Sequence, residues 1–569
     1  MLKEKNLKTN EASLDGLLKP NNGVDSLRKQ FALEILESIP DIIRNIVREK
    51  TADIKENSRI EGKYIEKTYK TLIEKYSILP QSSADNQRSL IQRLAKDLLG
   101  GVPLWRSPNL QYNVGAAVNR VSSALYSIAL DLNIFNINDG LSGNTIIAEQ
   151  TVTRILSELA GVDHKHSCGF FTFGGTATNL YAIKLGLAKA FPDSRRHGLP
   201  SGIKIAITED SHFSHLNALN WLGVGADNGL VIKAMKDRTS DIADAAEKLR
   251  SAIRDGKKIP AIIINGGTTY DNAVDDIDAF VKLRDELVKE FNLDYVPQVH
   301  VDSVIGWAWL MFKDYDFESN PLSIDARTLG LIKMQYQKIS KIYLADSWGV
   351  DFHKGVGSCP IPCSVIMINN AATAALLSYN EKIDTHQLAR EFSEFSPVDY
   401  TLETSRPAGA ALAALGAFNA LGADGFRAHL ANLVQQNQLF REKLAQYQRN
   451  DIVVLNHESL GYVTMVRIYP PDIAHDKDSE FSEERNASAY TAKVNAYMRS
   501  FYEFDLKDRM QNCDGVEYSY SSKYITAPSG AKIGALKFYP TSPYISSEDS
   551  IDAVNRLLKQ KDKFDQLKH

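Results

Sequence analysis

The chain has 569 residues, 44% of them hydrophobic and 24% charged, with a formal net charge of −4. That is the make-up of a folded protein of roughly two to four domains. It lacks the positive excess that nucleic acid or an anionic membrane would ask for, and no run of about 18 uninterrupted apolar residues suggests a membrane span.

The first region, residues 1–105, is helical in pattern. Its opening "MLKEKNLKTNEASLDGLLKP" carries charges without the apolar stretch of a signal peptide, and "LRKQFALEILESIPDIIRNIVREK" is an amphipathic helix whose apolar face needs cover. "GGVPLWRSPN" reads as a connector. In residues 106–395 short β-branched runs alternate with helical patterns. "IKIAITED" precedes "HLNALNWLG", "GLVIKAM" precedes "SDIADAAEKLRSAIRDG", and "PAIIING", "DDIDAFVKLRDELVKEFN" and "VHVDS" follow. Strands that are apolar throughout predict an α/β large domain with a mostly parallel sheet covered on both faces. Residues 396–569 predict a smaller α+β domain with strands in "YVTMVRIY" and "GALKFYP". There "PAGAALAALGAFNALGADG" reads as a buried, closely packed helix and "PPDIAHDKDSEFSEERNAS" as an exposed polar loop. Four cysteines (Cys168, Cys359, Cys363, Cys513) fit a reducing cytoplasm better than a disulfide framework, and no metal site is expected.

One lysine is out of place. Lys354 in "SWGVDFHKGVGSCPIPC" has Gly, Pro and Cys for company where a surface lysine has polar neighbours. Either it snorkels from a strand end, or its amine is kept in a closed site as a nucleophile. In an α/β sheet, sites collect at the carboxyl ends of strands, and four other stretches could meet Lys354 there. "FFTFGGTATNL" runs a strand into Gly174, Gly175 and Thr176 and then a helix, which suits a phosphate but is also an ordinary turn and cap. "VHVDSVIGW" closes an apolar strand with Asp302, a costly carboxylate unless it meets a cation, caps a helix or pairs with an arginine. "EDSHFSHLNALNWLG" carries His212, Ser214 and His215 before a helix, and "IINGGTTYDNAVDDID" places Thr268 near the same edge. Phosphate cradle, ring-stacking histidine, strand-terminal aspartate and secluded lysine together are what pyridoxal phosphate requires.

On those motifs, with "ADSWGVDFHK" and "TSRPAG", the chain resembles the group II amino-acid decarboxylases of the fold type I pyridoxal-phosphate superfamily. The resemblance covers roughly residues 100–545. It implies that Lys354 bonds the cofactor aldehyde, His353 approaches the phosphate, and Gly175 and Thr176 hold it. Asp302 then pairs with the ring nitrogen, His212 stacks on one ring face, Val304 meets the ring and Thr268 lies beside it. Arg406 resembles an arginine near the substrate carboxylate. Tyr379 falls where relatives carry a mobile-loop tyrosine, with Tyr400 as a competitor. Typical members read close to "HVDAA-x-GG" and "DPHKW", so Val304, Trp307 and Gly355 are departures here.

The chemistry so implied is α-decarboxylation of an L-amino acid with an aromatic or acidic side chain. Asp302 keeps the ring nitrogen protonated, and Tyr379 or a histidine returns a proton to the α-carbon. The resemblance also implies a homodimer with shared active sites, built partly by residues 1–105. Two alternatives stay open: a carbon–carbon lyase of phosphorylated amino alcohols with a similar "DxHK" region, and a catalytically silent scaffold.

Overall fold

A computed structural model describes residues 33–50, 52, 57–60, 69–77, 87–379, 396–482, 487–512 and 515–568. The chain divides into two compact units, Met1–Leu104 with Asn512–Asp514, and Trp105–Gln511 with Gly515–His569.

The first unit is helical: α1 (Leu33–Lys50), α2 (Tyr69–Tyr76) and α3 (Gln87–Leu98). Ile42 of α1 is buried, while Ile43 and Val47 are exposed. Tyr76 of α2 donates to Asp97 of α3 at 2.6 Å.

The second unit begins with α4 (Arg120–Asp131) and α5 (Thr145–Ala160). Then β1 (Cys168–Thr172), β2 (Ile205–Thr208), β3 (Gly229–Ile232), β4 (Ala261–Asn265), β5 (Gln298–Asp302), β6 (Ser347–Asp351) and β7 (Ser364–Ile368) form one sheet. Its order is β1-β7-β6-β5-β4-β2-β3. Only β7 runs against its neighbours, pairing antiparallel with both β1 and β6. Every residue of β2, β4 and β5 is buried, as central strands covered on both faces require. The helices α6 (Gly175–Ala190), α7 (Ser214–Trp221), α8 (Ile242–Arg254), α9 (Ile277–Glu290) and α10 (Ala326–Ile339) alternate with these strands. α8, α9 and α10 each start at an aspartate, Asp241, Asp276 or Asp325, whose side chain accepts from the first turn.

The Ala-rich segment forms α11 (Gly409–Gln446), broken at Gly422, whose φ of 60° no helix interior adopts. Ala410, Ala411, Ala413, Ala414 and Ala417 are buried, the close-packed helix its composition predicts. Beyond it β8 (Ile452–Val454), β9 (Thr464–Ile468), β10 (Ser519–Thr526) and β11 (Lys532–Phe538) make an antiparallel sheet in the order β8-β9-β11-β10. α12 (Ala487–Asn512) and α13 (Ser547–Lys568) complete the chain. The expected polar loop at 470–488 instead holds a 3₁₀ helix at Ala474–Phe481 and the start of α12, and within it Glu480 is fully buried. It accepts from Arg467 of β9 and from Tyr469 at 3.0 Å, so one charge in that polar run serves the core.

Candidate active site

α6 is buried on nearly all sides and packs across β5 and β6, so its amino end opens at the carboxyl ends of those strands. Gly175 must be glycine there. A Cβ on it would stand 2.6 Å from an Asp351 carboxylate oxygen and 3.0 Å from Val304. The first N–H groups of the helix have no intrahelical acceptor and carry the positive end of its dipole, which suits an anion. Gly175, Thr176, His212, Thr268, Asp302, Val304 and Lys354 line one cleft at this edge, joined by Asn179, Asp210 and Asn265.

Asp302 ends β5 with its carboxylate buried. Oδ2 accepts from Asn179 Nδ2 at 3.0 Å and from His215 Nε2 at 2.8 Å, while Oδ1 is buried without a partner. Burial opposes this charge, but the hydrogen bond and charge of His215, the Lys354 ammonium and Asn179 outweigh it. They hold the carboxyl well below the usual carboxylate range. A cleft aspartate kept ionised with one oxygen free is a seat for a cation.

Lys354 Nζ lies 2.9 Å from Asp351 Oδ2. Burial alone would lower its pKa, yet the adjoining Asp351 and the more distant Asp302 raise it, so the amine is protonated in this arrangement. Asp351 is fully buried, and Ser364 Oγ donates to its other oxygen. His212 accepts at Nδ1 from the Ser214 backbone N–H at 3.3 Å, and burial lowers its pKa. Thr268 Oγ accepts from the Ala273 N–H at 3.1 Å.

Three expected residues stand elsewhere. His353 does not line the cleft; its Nδ1 lies against the Cys363 backbone and its Nε2 is 3.7 Å from Asp351. Arg406, expected near the substrate carboxylate, does not line the cleft. Its guanidinium is buried and grips both oxygens of Glu149 on α5, donating also to the Phe171 carbonyl at 3.1 Å. Tyr379 is 90% exposed, and residues 380–395 lie outside the described residues. Tyr400 is 4% exposed, edge-on to Phe170 at 5.5 Å, and is a core ring.

The departures at Val304 and Trp307 have physical reasons. Val304 fits because Gly349 faces it, where a Cβ would stand 3.1 Å from the valine methyl. Trp307 points into the core against Phe352, Phe418 and Phe426, and its indole N–H donates to the Asp351 carbonyl at 3.3 Å. It therefore stiffens the strand end beneath Lys354 and leaves the cleft open.

Asn179, Asp351 and Lys537 were not singled out by sequence. Lys537 of β11 is 7% exposed, with its ammonium donating to Asn113 at 3.1 Å and standing 5.6 Å from the Tyr270 ring. It has no carboxylate partner among the described residues, and burial pushes its pKa down to about 8. Tyr270 adjoins Thr268 and Thr269, which line the cleft.

No protein-family model matches the chain. It is 27% identical over 265 residues to a glutamate decarboxylase-like protein of Gibberella zeae, covering 46% of this chain and 45% of that protein. It is 26% identical over 301 residues to a probable L-tyrosine/L-aspartate decarboxylase of Methanosphaerula palustris, covering 53% and 67%. The match spans less than half the length of the first of these curated relatives and about two thirds of the second. The solved structure of Oryza sativa TDC with PLP and tryptamine superposes with a TM-score of 0.71 at 14% identity, over 96% of this chain and 99% of that one. The chain is thus similar in part of its sequence to curated amino-acid decarboxylases. Its architecture is that of fold type I.

The residues present fit pyridoxal phosphate. The orphaned Asp302 oxygen suits a protonated ring nitrogen, the Gly175 end of α6 suits a phosphate, and the Lys354 amine suits an aldehyde.

Proposed function

We propose that the protein is a pyridoxal-phosphate-dependent decarboxylase converting an aromatic or acidic L-amino acid to its amine and carbon dioxide. The observation that carries this reading is the unpartnered Asp302 oxygen in the same cleft as the Lys354 amine. When bound, the cofactor supplies an aldehyde for amines and a protonated ring that accepts the electrons freed by decarboxylation. Of the cleft residues, Gly175 and Thr176 would hold its phosphate, and Thr268, His212 and Val304 would flank its ring. Asp302 holds the proton at the ring nitrogen. Lys354 Nζ must lose a proton to act as a nucleophile, and Asp351 Oδ2, 2.9 Å away, is the nearest acceptor. The relatives above are named decarboxylases, which favours loss of carbon dioxide over the carbon–carbon lyase alternative.

With Arg406 committed to Glu149, Lys537 is the cation that meets the substrate carboxylate. Lys537→Met is expected to raise KM roughly tenfold to hundredfold, the loss of one charged hydrogen bond. The pH dependence has a definite sign. Lys537 is charged below about 8 and neutral above it, so KM should climb as pH rises through that value. Lys537→Arg carries a charge that does not titrate, and should flatten the climb. A KM profile identical in all three proteins would remove Lys537 from the site.

In the same reading the protein is a cytoplasmic homodimer; the buried Cys359 and Cys363 are unbridged, and no described helix is long and apolar enough to cross a membrane. Residues 1–105 contribute dimer contacts through the exposed Ile43 and Val47 of α1, residues 106–395 hold the cofactor, and residues 396–569 bring Lys537. Tyr379, which is exposed, serves the partner's site as proton donor. Light scattering at micromolar concentration should give twice the chain mass, and a fully active monomer would refute shared sites. The function itself is tested by loading the protein with cofactor and assaying carbon dioxide from a panel of aromatic and acidic L-amino acids. No release from any of them, with cofactor bound, would reject it.

A further inference from the structure

His215 lies outside the cleft lining, yet it makes the shorter of the two hydrogen bonds to the Asp302 carboxylate. We propose that His215 is a positioning residue: its Nε2–H binds one oxygen of Asp302, leaves the other for the cofactor's ring nitrogen, and thereby keeps that nitrogen protonated. This rests on the cofactor reading of the cleft.

Three observations carry it. First, His215 and Asn179 donate to the same oxygen, Oδ2, at 2.8 and 3.0 Å, so Oδ1 alone remains for a cation. Second, the His215 ring is fully buried, its Nδ1 has no partner and its Nε2 meets Asp302, so Nε2 is the nitrogen whose N–H is satisfied and the ring donates to Asp302 from it. Third, the neighbouring imidazole does not compete. His300 lies two residues before Asp302 on the same face of β5, with its Nδ1 2.9 Å from Ser347 Oγ. Burial pushes its pKa down to about 3, and it stays neutral. The other titratable groups on the cleft side are His212, Asp210 and Lys354, with Asp351 buried against the Lys354 ammonium.

A proton shared between a ring nitrogen and a carboxylate goes to the nitrogen when donors stabilise the carboxylate anion. Removing the His215 donor should lower the proton affinity of the ring nitrogen roughly tenfold to hundredfold.

The test uses holoenzyme carrying pyridoxal phosphate labelled with nitrogen-15 in the ring, read by NMR across pH. Wild type should show the protonated ring resonance, and His215→Leu should move it toward the unprotonated position. His215→Gln, whose amide reaches as far as Nε2, should restore it. If the leucine variant does not fold, His215→Asn takes its place, since its amide ends at the Nδ1 position and cannot reach Asp302. A ring that stays fully protonated without the donor overturns the proposal, as does a glutamine variant that behaves like the leucine one. Failure of wild type to take up the labelled cofactor at Lys354 would instead overturn the cofactor reading.

Discussion

Lys354→Ala should end covalent attachment of the cofactor and lower turnover by about 10²–10⁴-fold or more, the range lost with one positioned proton-transfer group. Borohydride reduction of wild-type holoenzyme, followed by peptide mass spectrometry, should place a pyridoxyl group on the peptide containing Lys354. The alanine variant should carry none. Alanine also strips the buried Asp351 of the ammonium at 2.9 Å, so lost stability could imitate lost chemistry. Lys354→Arg separates the two effects. A guanidinium keeps a cation beside Asp351 but forms no bond to the aldehyde at neutral pH. The arginine variant should therefore match the alanine variant in labelling and turnover while melting closer to wild type. A pyridoxyl group on another lysine would move the active site elsewhere.

Much of the large sheet was legible because a parallel strand covered on both faces has to be apolar throughout. "IAIT" and "AIIIN" announce themselves, and each βα junction then marks a strand end where a site can form. The cleft was legible for the same reason. Gly175, His212, Thr268, Asp302 and Lys354 all sit at such junctions, and the topology brings them together. Partnerships between distant charges were not legible. Nothing within "TSRPAG" reveals that Glu149, 257 positions earlier, waits for Arg406. The available signal was a lone glutamate in the apolar helical run "TIIAEQTVTRIL", a charge that cannot be buried alone. Lys537 in "GALKFYP" and Arg467 in "TMVRI" are the same kind of signal, single cations inside strands. Arg467 proved to be matched by Glu480, and Lys537 by no carboxylate among the described residues. His215 was hidden by one helical turn: its neighbour His212 faces the cleft, while His215 points beneath it to Asp302.

Arg406 now predicts a loss of stability where its sequence context suggested a loss of substrate binding. Its guanidinium meets Glu149 on both oxygens, and Glu149 also accepts from the Phe171 N–H at 2.8 Å and from Asn136 at 3.0 Å. Asn136 and Arg406 are themselves paired across a two-residue antiparallel ladder, so the cluster ties α5, β1 and the start of α11 together. Arg406→Met leaves a buried glutamate with no cation. Breaking such a pair costs about 3–5 kcal/mol, because the surviving charge is desolvated and uncompensated. Glu149→Gln in the same protein removes that charge while its amide oxygen can still accept from Phe171. The double variant should therefore be more stable than Arg406→Met alone, and denaturant unfolding of the two single variants and the double closes the cycle. At temperatures where Arg406→Met stays folded, KM for acidic and for aromatic amino acids should both stay near wild type. A KM that rises for either class, with unfolding midpoints unchanged, would return Arg406 to the substrate site and take Lys537 out of it.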